Sequence, residues 1–425
     1  MSIQQKFEAV IDKERALARI IEITEVLPHP NADRMEIVTV GGWPCCVGKG
    51  KFKVGDIALY CEIDALLPLT ISEFQFLGSK KENVYEVFDV PYARLRTMRL
   101  RGELSQGLVV PIPKDVLTGP YVVGENVTMA LGVLKYEPVR QAAEPERELD
   151  GFEKMCLWIS GPPMAETLSP FPSIIQKTTL HRMQNLGSQY TRAVETHELF
   201  EASVKLDGDS ATAYLVETGK HGEFHYGVCS RNNEISLEPI VWSWPEQARR
   251  WFAKFLLRNR RILKNRTLVR PRWQTGYSPD DNQYVKAFKD LGVKNALFYA
   301  HKVLGLQLAI QGELVGPGIQ GNFEKLESVQ FFVYRITVLG SVYKNQKLGI
   351  MNPEIAKETC SRLGLTYVPV HNPMCRLNAN MKEMLIFAEG PSAFNGPCRE
   401  GLVLKSLARD FQFKVVSNTY LENHA

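Results

Sequence analysis

Lys205 stands inside an apolar run, ASVKLDGDSATAY, and is followed at once by Asp207, Gly208 and Asp209. The alternation of Ala202, Val204 and Leu206 reads as a strand and DGD as a turn, so the lysine falls at a strand end. Two readings are open for it. It is a surface lysine before a hairpin turn, or a lysine held in a pocket and used as a nucleophile. Five other stretches of the chain favour the second: VCSRNN at 228–233, QGELVG at 311–316, FFVYRI at 331–336, REGLVLK at 399–405 and FQFKVVS at 411–417.

Taken as chemistry, these stretches serve one purpose. Carboxylates at Asp207, Glu313 and Glu400 suit a divalent cation, held directly or through water. Cations at Arg231, Lys405 and Lys414 suit a phosphate. Aromatic rings at Phe331 and Phe332 suit a stacked base. Each has a plainer alternative: Glu313 a surface residue, the two phenylalanines core, Lys405 a turn cap. Their joint occurrence is what the plainer readings explain badly.

The elements that must position these groups come from a chain of 425 residues, room for two or three domains. Hydrophobic residues make up 44% and charged residues 23%, ordinary for a globular protein with a core. The net charge of +4 does not by itself imply nucleic acid. No run of 18 apolar residues suggests a membrane span, and the charged start lacks a signal-peptide core. An intracellular protein, cytoplasmic or nuclear, is expected. The eight cysteines form no C-x-x-C pair and are expected to be reduced thiols, and the eight histidines are scattered.

Residues 15 to about 135 read as short strands with turns: ALARIIEITEV, the turn cluster PHPNAD, RMEIVTVGG, a long alternating strand in KFKVGDIALYCEIDALLPL, and a pair in RLRTMRLRGELSQGLVVPIP. That spacing suggests a small β-barrel of the OB type. Arg94, Arg96, Arg99 and Arg101 would give it a phosphate-facing strand, or simply a solvated one. The boundaries expected are 1–140 for this barrel, 141–165 for a polar, Pro-rich linker and 166–425 for a second domain. In that domain strands are expected around Lys205 and at 398–417, and helices near 243–262 and 353–363. Ten basic residues and no acidic one lie between Arg249 and Arg272, interleaved with Trp251, Phe252, Phe255 and Trp273. This basic stretch, in an insertion near 237–295, suits a phosphate backbone.

The order of motifs resembles the covalent nucleotidyltransferase superfamily of ATP-dependent DNA ligases, RNA ligases and capping enzymes. KLDGDS looks like motif I, QGELVG motif III, FFVY motif IIIa, EGLVLK motif IV and FKVVS motif V. The lead-in FPSIIQKTTLHRMQNL, Phe171–Leu186, and the SRN of Ser230–Asn232 are similar to the RNA ligase 5 family, as is a barrel placed before the catalytic domain. One departure stands out. Motif V commonly offers two lysines separated by one residue, whereas Lys414 is flanked at that spacing by Gln412 and Val416.

The resemblance implies an α+β protein, an N-terminal OB-fold barrel followed by a ligase-type nucleotidyltransferase domain built on antiparallel sheets. It implies an ATP-dependent RNA ligase that joins 3′-OH and 5′-phosphate ends through lysyl-AMP and RNA-adenylate, with ATP and Mg²⁺ or Mn²⁺, acting as a monomer on nicked or broken RNA. Lys205 would carry AMP; Asp207, Glu313 and Glu400 would place the metal; Lys405 and Lys414 would face the α-phosphate. Gly208, Phe331 and Phe332 would complete the nucleotide site, Arg231 the ribose or acceptor end, and Lys177 and Arg182 the outer phosphates. Two alternatives remain open: a capping-type guanylyltransferase, and a nucleic-acid-binding protein with a decayed catalytic domain. HPNADR, His29–Arg34, lends the latter some colour by its likeness to tRNA-binding OB modules.

Overall fold

The computed structural model describes residues 7–10, 16–79, 83–87, 89–138, 168–218, 223–237, 252, 282–343 and 347–424. The expected linker at 141–165, the expected helix at 243–262 and, but for Phe252, the basic stretch from Arg249 to Arg272 lie outside them.

The N-terminal strands close on two adjoining cores. One gathers Leu17, Ile20, Leu59, Leu67, Phe74 and Val133; the other gathers Ile21, Val38, Trp43, Tyr60 and Val109. Residues 57–68 do not form the one long strand that their alternation suggests. The chain makes Ile57–Cys61, breaks at Asp64 with φ at 65°, and resumes as Ala65–Pro68. The first half pairs with Ala18–Glu22 and Leu108–Val110, the second with Leu134–Pro138 and Val90–Arg94. A strand that changes sheets in this way turns a barrel corner. HPNADR is the turn such a barrel needs. His29 Nε2 donates to the Leu100 carbonyl at 3.0 Å and Asn31 Nδ2 to the Arg101 carbonyl at 3.1 Å, which ties the turn to the hairpin Met98–Ser105.

The C-terminal part is built on two antiparallel-rich sheets. The strands that matter most are β1 (Leu199–Val204), β2 (Asp209–Glu217), β3 (Leu306–Val315), β4 (Gln330–Ser341), β5 (Gly401–Ser406) and β6 (Gln412–Val416). In the five-stranded sheet β5 lies between β1 and β6, and the short strand His181–Arg182 joins β6 in parallel. In the eight-stranded sheet β3 lies between β2 and β4.

Period-two alternation decides what each sheet shows the other. In the smaller sheet Phe200, Ala202, Leu402, Leu404, Phe413 and Val415 pack under the helix Met381–Ala388. Glu201, Ser203, Val403, Lys405, Gln412 and Lys414 are left on the opposite face. In the larger sheet Ala211, Ala213, Leu308, Ile310, Phe331 and Val333 pack on Phe288 and Leu297 of the helices Gln283–Asp290 and Val293–Leu304. Burying each such large side chain is worth about 1.5–3 kcal/mol.

The helix at 353–363 is present as Pro353–Leu363. Asn352 caps it by accepting from the Ile355 N–H at 2.9 Å, Pro353 opens its first turn, and Gly364 ends it in the left-handed region. No helix of the described residues is long and apolar enough to cross a membrane.

Candidate active site

A cleft of about 260 Å³ opens between the exposed faces of the two sheets. Lys205 follows the last residue of β1 at its rim, and its N–H donates to the Gly401 carbonyl at 3.0 Å. Gly208 comes next in the turn because nothing larger fits. A Cβ there would stand 2.3 Å from the Leu314 carbonyl oxygen. The turn therefore lies flat on β3, which brings Lys205 to Glu313.

The Lys205 ammonium donates a short hydrogen bond to Glu400 Oε1. Burial works to push the Lys205 pKa down, but the carboxylates of Glu400, Glu313 and Asp207 outweigh it and hold the pKa above the ordinary value. Lys205 rests as an ammonium and must lose a proton before it can act as a nucleophile. Asp207 Oδ2 accepts from the Tyr420 hydroxyl at 3.0 Å. The second Glu400 oxygen, Oε2, is buried with no partner among the described residues. A buried carboxylate oxygen left unpaired is costly unless a cation or its water answers it. That atom, beside Asp207 and Glu313, fits a divalent ion. Among the described residues no three His, Cys, Asp or Glu side chains stand close enough to ligate one directly, so contact through water is what the arrangement allows.

The cations expected at the phosphates divide into two groups. Lys414 and Arg182 line the cleft on neighbouring strands, and Arg231 lines its rim. The Arg182 guanidinium lies 5.2 Å over the Trp43 ring of the N-terminal barrel. Lys405 differs from its expected place. It is opposite Glu201, four residues and thus about 13 Å down β1 from Lys205. Its Nζ donates to Glu201 at 3.3 Å and to the Tyr367 hydroxyl at 3.0 Å, and Tyr367 donates to the same Glu201 oxygen at 3.0 Å. Burial lowers the Lys405 pKa, with Glu201 opposing. Its charge is answered by Glu201. Lys177 is exposed and rests 5.5 Å over the Phe171 ring, away from the cleft lining; Thr178 and Thr179 line it instead.

The expected stacking rings are also corrected. Phe331 is buried against Phe288, ring centroids 4.8 Å apart, and Phe332 against Phe394 at 5.1 Å. Neither reaches the cleft. Two residues further along β4, on the same face as Phe332, Tyr334 does. Its hydroxyl bonds Ser210 Oγ at 2.8 Å, and burial pushes its pKa up to about 12. Period two applied to FFVY points to this ring, because Phe332 already fills the core-side end of that face. Glu201, Tyr367 and Tyr420 carry no motif, and only the fold brings them in.

The arginines expected on a phosphate-facing barrel strand are largely engaged elsewhere. Arg94 pairs with Asp64 at 2.8 Å and lies 3.8 Å over Tyr136, while Arg99 pairs with Glu422 at 2.5 Å. The second of these, with the bond from Gln106 to Asn418 at 3.1 Å, docks the barrel on the C-terminal helix Asn418–His424.

Comparison with known proteins agrees with this geometry. The RNA ligase family profile matches residues 198–416, and an OB-fold domain profile matches residues 17–112. Solved structures of the Naegleria gruberi RNA ligase are similar over the whole chain. A lysine-to-methionine mutant of that enzyme with AMP and Mn is 29% identical, with 96% of this chain and 99% of that one covered and a TM-score of 0.68. A glutamate-to-alanine mutant with ATP and Mn gives 29%, the same coverage and 0.69. An arginine-to-alanine mutant with ATP and Mn gives 30%, again 96% and 99%, and 0.68. No curated protein matches the chain.

Proposed function

Because this chain belongs to the RNA ligase family, we propose that it is an ATP-dependent RNA ligase that joins 3′-OH and 5′-phosphate ends through lysyl-AMP and RNA-adenylate. The observation that carries the reading is Lys205: a half-buried ammonium at the rim of a cleft between two sheets, beside Glu400, Glu313 and Asp207, with Lys414 and Arg182 lining the same cleft. The solved relatives bind ATP or AMP with Mn, which supports ATP and Mg²⁺ or Mn²⁺ here. A capping-type guanylyltransferase or a decayed enzyme is not favoured. The barrel precedes the catalytic part, and Lys205, Asp207, Glu313 and Glu400 stand together.

In the first step Lys205 gives a proton to solvent, its Nζ lone pair bonds the α-phosphorus of ATP as a second proton leaves the nitrogen, and the bond to the bridging oxygen breaks, its electron pair leaving with pyrophosphate. Glu400 orients the amine along that line. Lys414 offers fixed positive charge where negative charge builds, and fixed charge in a dry site is worth most there. Asp207, Glu313 and Glu400 would hold the divalent cation through water, and that ion supplies charge that disfavours the ammonium and stabilises the phosphoryl oxygens. AMP then passes to the RNA 5′-phosphate, and the 3′-OH displaces it.

Toward the base end, Tyr334 offers a ring face. Lys405 has three donors and spends two on Glu201 and Tyr367. The remaining donor is free to meet a ring-nitrogen acceptor of the base. The protein acts as an intracellular monomer on nicked or broken RNA. Incubation with a nicked RNA duplex tests the whole reading. ATP- and metal-dependent joining, lost in Lys205→Ala, is expected; neither joined product nor adenylated 5′ end would overturn it.

A further inference from the structure

We infer that Tyr420, on the C-terminal helix, is a positioning residue for the Asp207 carboxylate and, through it, for the divalent ion of the cleft. The inference rests on the reading of the cleft as an ATP site. Asp207 Oδ2 accepts from the Tyr420 hydroxyl at 3.0 Å, across 213 residues of sequence. A phenol ionises at about pH 10, so near neutral pH it meets a carboxylate as a donor.

The carboxylate needs such a partner. Gly208 lays the backbone of the turn on β3 but does not fix the side chain beside it. Asp207, Glu313 and Glu400 all act on Lys205, and the Asp207 charge opposes that of Glu400. Like charges gathered at one point drive a short, unheld side chain out toward solvent. The bond from Tyr420 holds Asp207 in. It takes up Oδ2, so Oδ1 is the oxygen left to hold a water of the ion.

Tyr420 is itself anchored. Its ring packs edge-on against Phe323, centroids 5.2 Å apart. Glu389 fixes the start of the helix, accepting from Ser417 Oγ at 2.7 Å and from the Asn418 N–H at 2.6 Å. Gln106 bonds Asn418 at 3.1 Å, and Arg99 pairs with Glu422 at 2.5 Å. A group locked by its own packing holds a neighbour in place at little further cost in freedom. Tyr420 acts through Asp207 and contributes no atom to the reaction.

Tyr420→Phe keeps the ring on Phe323 and removes only the hydroxyl. Mn²⁺ is titrated, with the free ion followed by EPR, into the Lys205→Ala protein saturated with AMP. Adding Tyr420→Phe should weaken Mn²⁺ binding about fivefold or more, because a hydrogen bond to a charged group is lost. When Asp207→Ala is also present, the same change should cost less than about twofold, since the carboxylate it positions is gone. In the otherwise wild-type protein, Tyr420→Phe should raise the Mn²⁺ concentration for half-maximal lysyl-AMP formation by a similar factor, and most of the rate should return at saturating Mn²⁺. Unchanged Mn²⁺ binding, or an equal loss with and without Asp207, would overturn the assignment and leave Tyr420 a packing residue. A wild-type protein that takes no AMP from ATP would remove the ligase reading itself, whereas normal adenylation at every Mn²⁺ concentration in Tyr420→Phe would sink this assignment alone.

Discussion

Replacing Tyr334 by leucine should weaken ATP binding without unfolding the protein, and replacing Phe331 should do the reverse. Tyr334 lines the cleft with its hydroxyl 2.8 Å from Ser210, whereas Phe331 is 4% exposed and packs on Phe288. Stacking of a base on an aromatic ring is worth about 1–3 kcal/mol. At about 1.4 kcal/mol per tenfold, Tyr334→Leu should raise the dissociation constant for ATP roughly 5- to 150-fold. Tyr334→Phe keeps the ring and loses one hydrogen bond, about 0.5–1.5 kcal/mol, so it should cost about tenfold at most. Phe331→Leu loses a ring pair worth about 0.5–1.5 kcal/mol beyond its area, and that loss should appear as a lower Tm with ATP affinity unchanged. Binding is best titrated in the Lys205→Ala background, where ATP is not turned over. If Phe331→Leu weakened ATP binding and Tyr334→Leu did not, the placement of the base against Tyr334 would be refuted.

The buried pair at the base end should behave as a unit. Lys405→Met leaves Glu201 buried and uncompensated and should destabilise the fold by about 3–5 kcal/mol in urea melts, while adding Glu201→Gln should recover a good part of that; simple additivity would contradict the pairing. Glu324 is fully buried and burial raises its pKa, so the folded state holds its proton above the ordinary value near 4.3. The stability it contributes is full below that value and is lost as pH rises through the folded pKa. Glu324→Gln does not titrate, so its stability relative to wild type should grow as pH rises from about 4 toward neutral; a pH-independent difference would be the contrary result.

Much of this site was legible in the sequence because its motifs are short and local. KLDGDS, QGELVG and EGLVLK each fix one side chain at a strand end, and the fold brings Lys205, Asp207, Glu313 and Glu400 together as expected. Misreadings came where a role depends on register between distant strands. Lys405 is set by its pairing with Glu201, 204 residues away in sequence, and no local pattern reports that. Phe331 and Phe332 read as stacking rings only until their packing on Phe288 and Phe394 shows both buried away from the cleft. The single long strand expected before Pro68 failed at Asp64, whose left-handed φ is invisible to hydrophobic alternation. Lys135, on the barrel strand Leu134–Pro138, also lines the cleft, and no motif in the sequence reports it.

The central claim is a lysyl-AMP on Lys205. Purified protein incubated with Mg²⁺ or Mn²⁺ and α-labelled ATP, with GTP in parallel, tests it directly. The account predicts label from ATP alone, mapped to the peptide that holds Lys205, discharged by pyrophosphate and absent in Lys205→Ala, while that variant still binds RNA. Label that survives Lys205→Ala, label taken from GTP instead, or no label from ATP would contradict it.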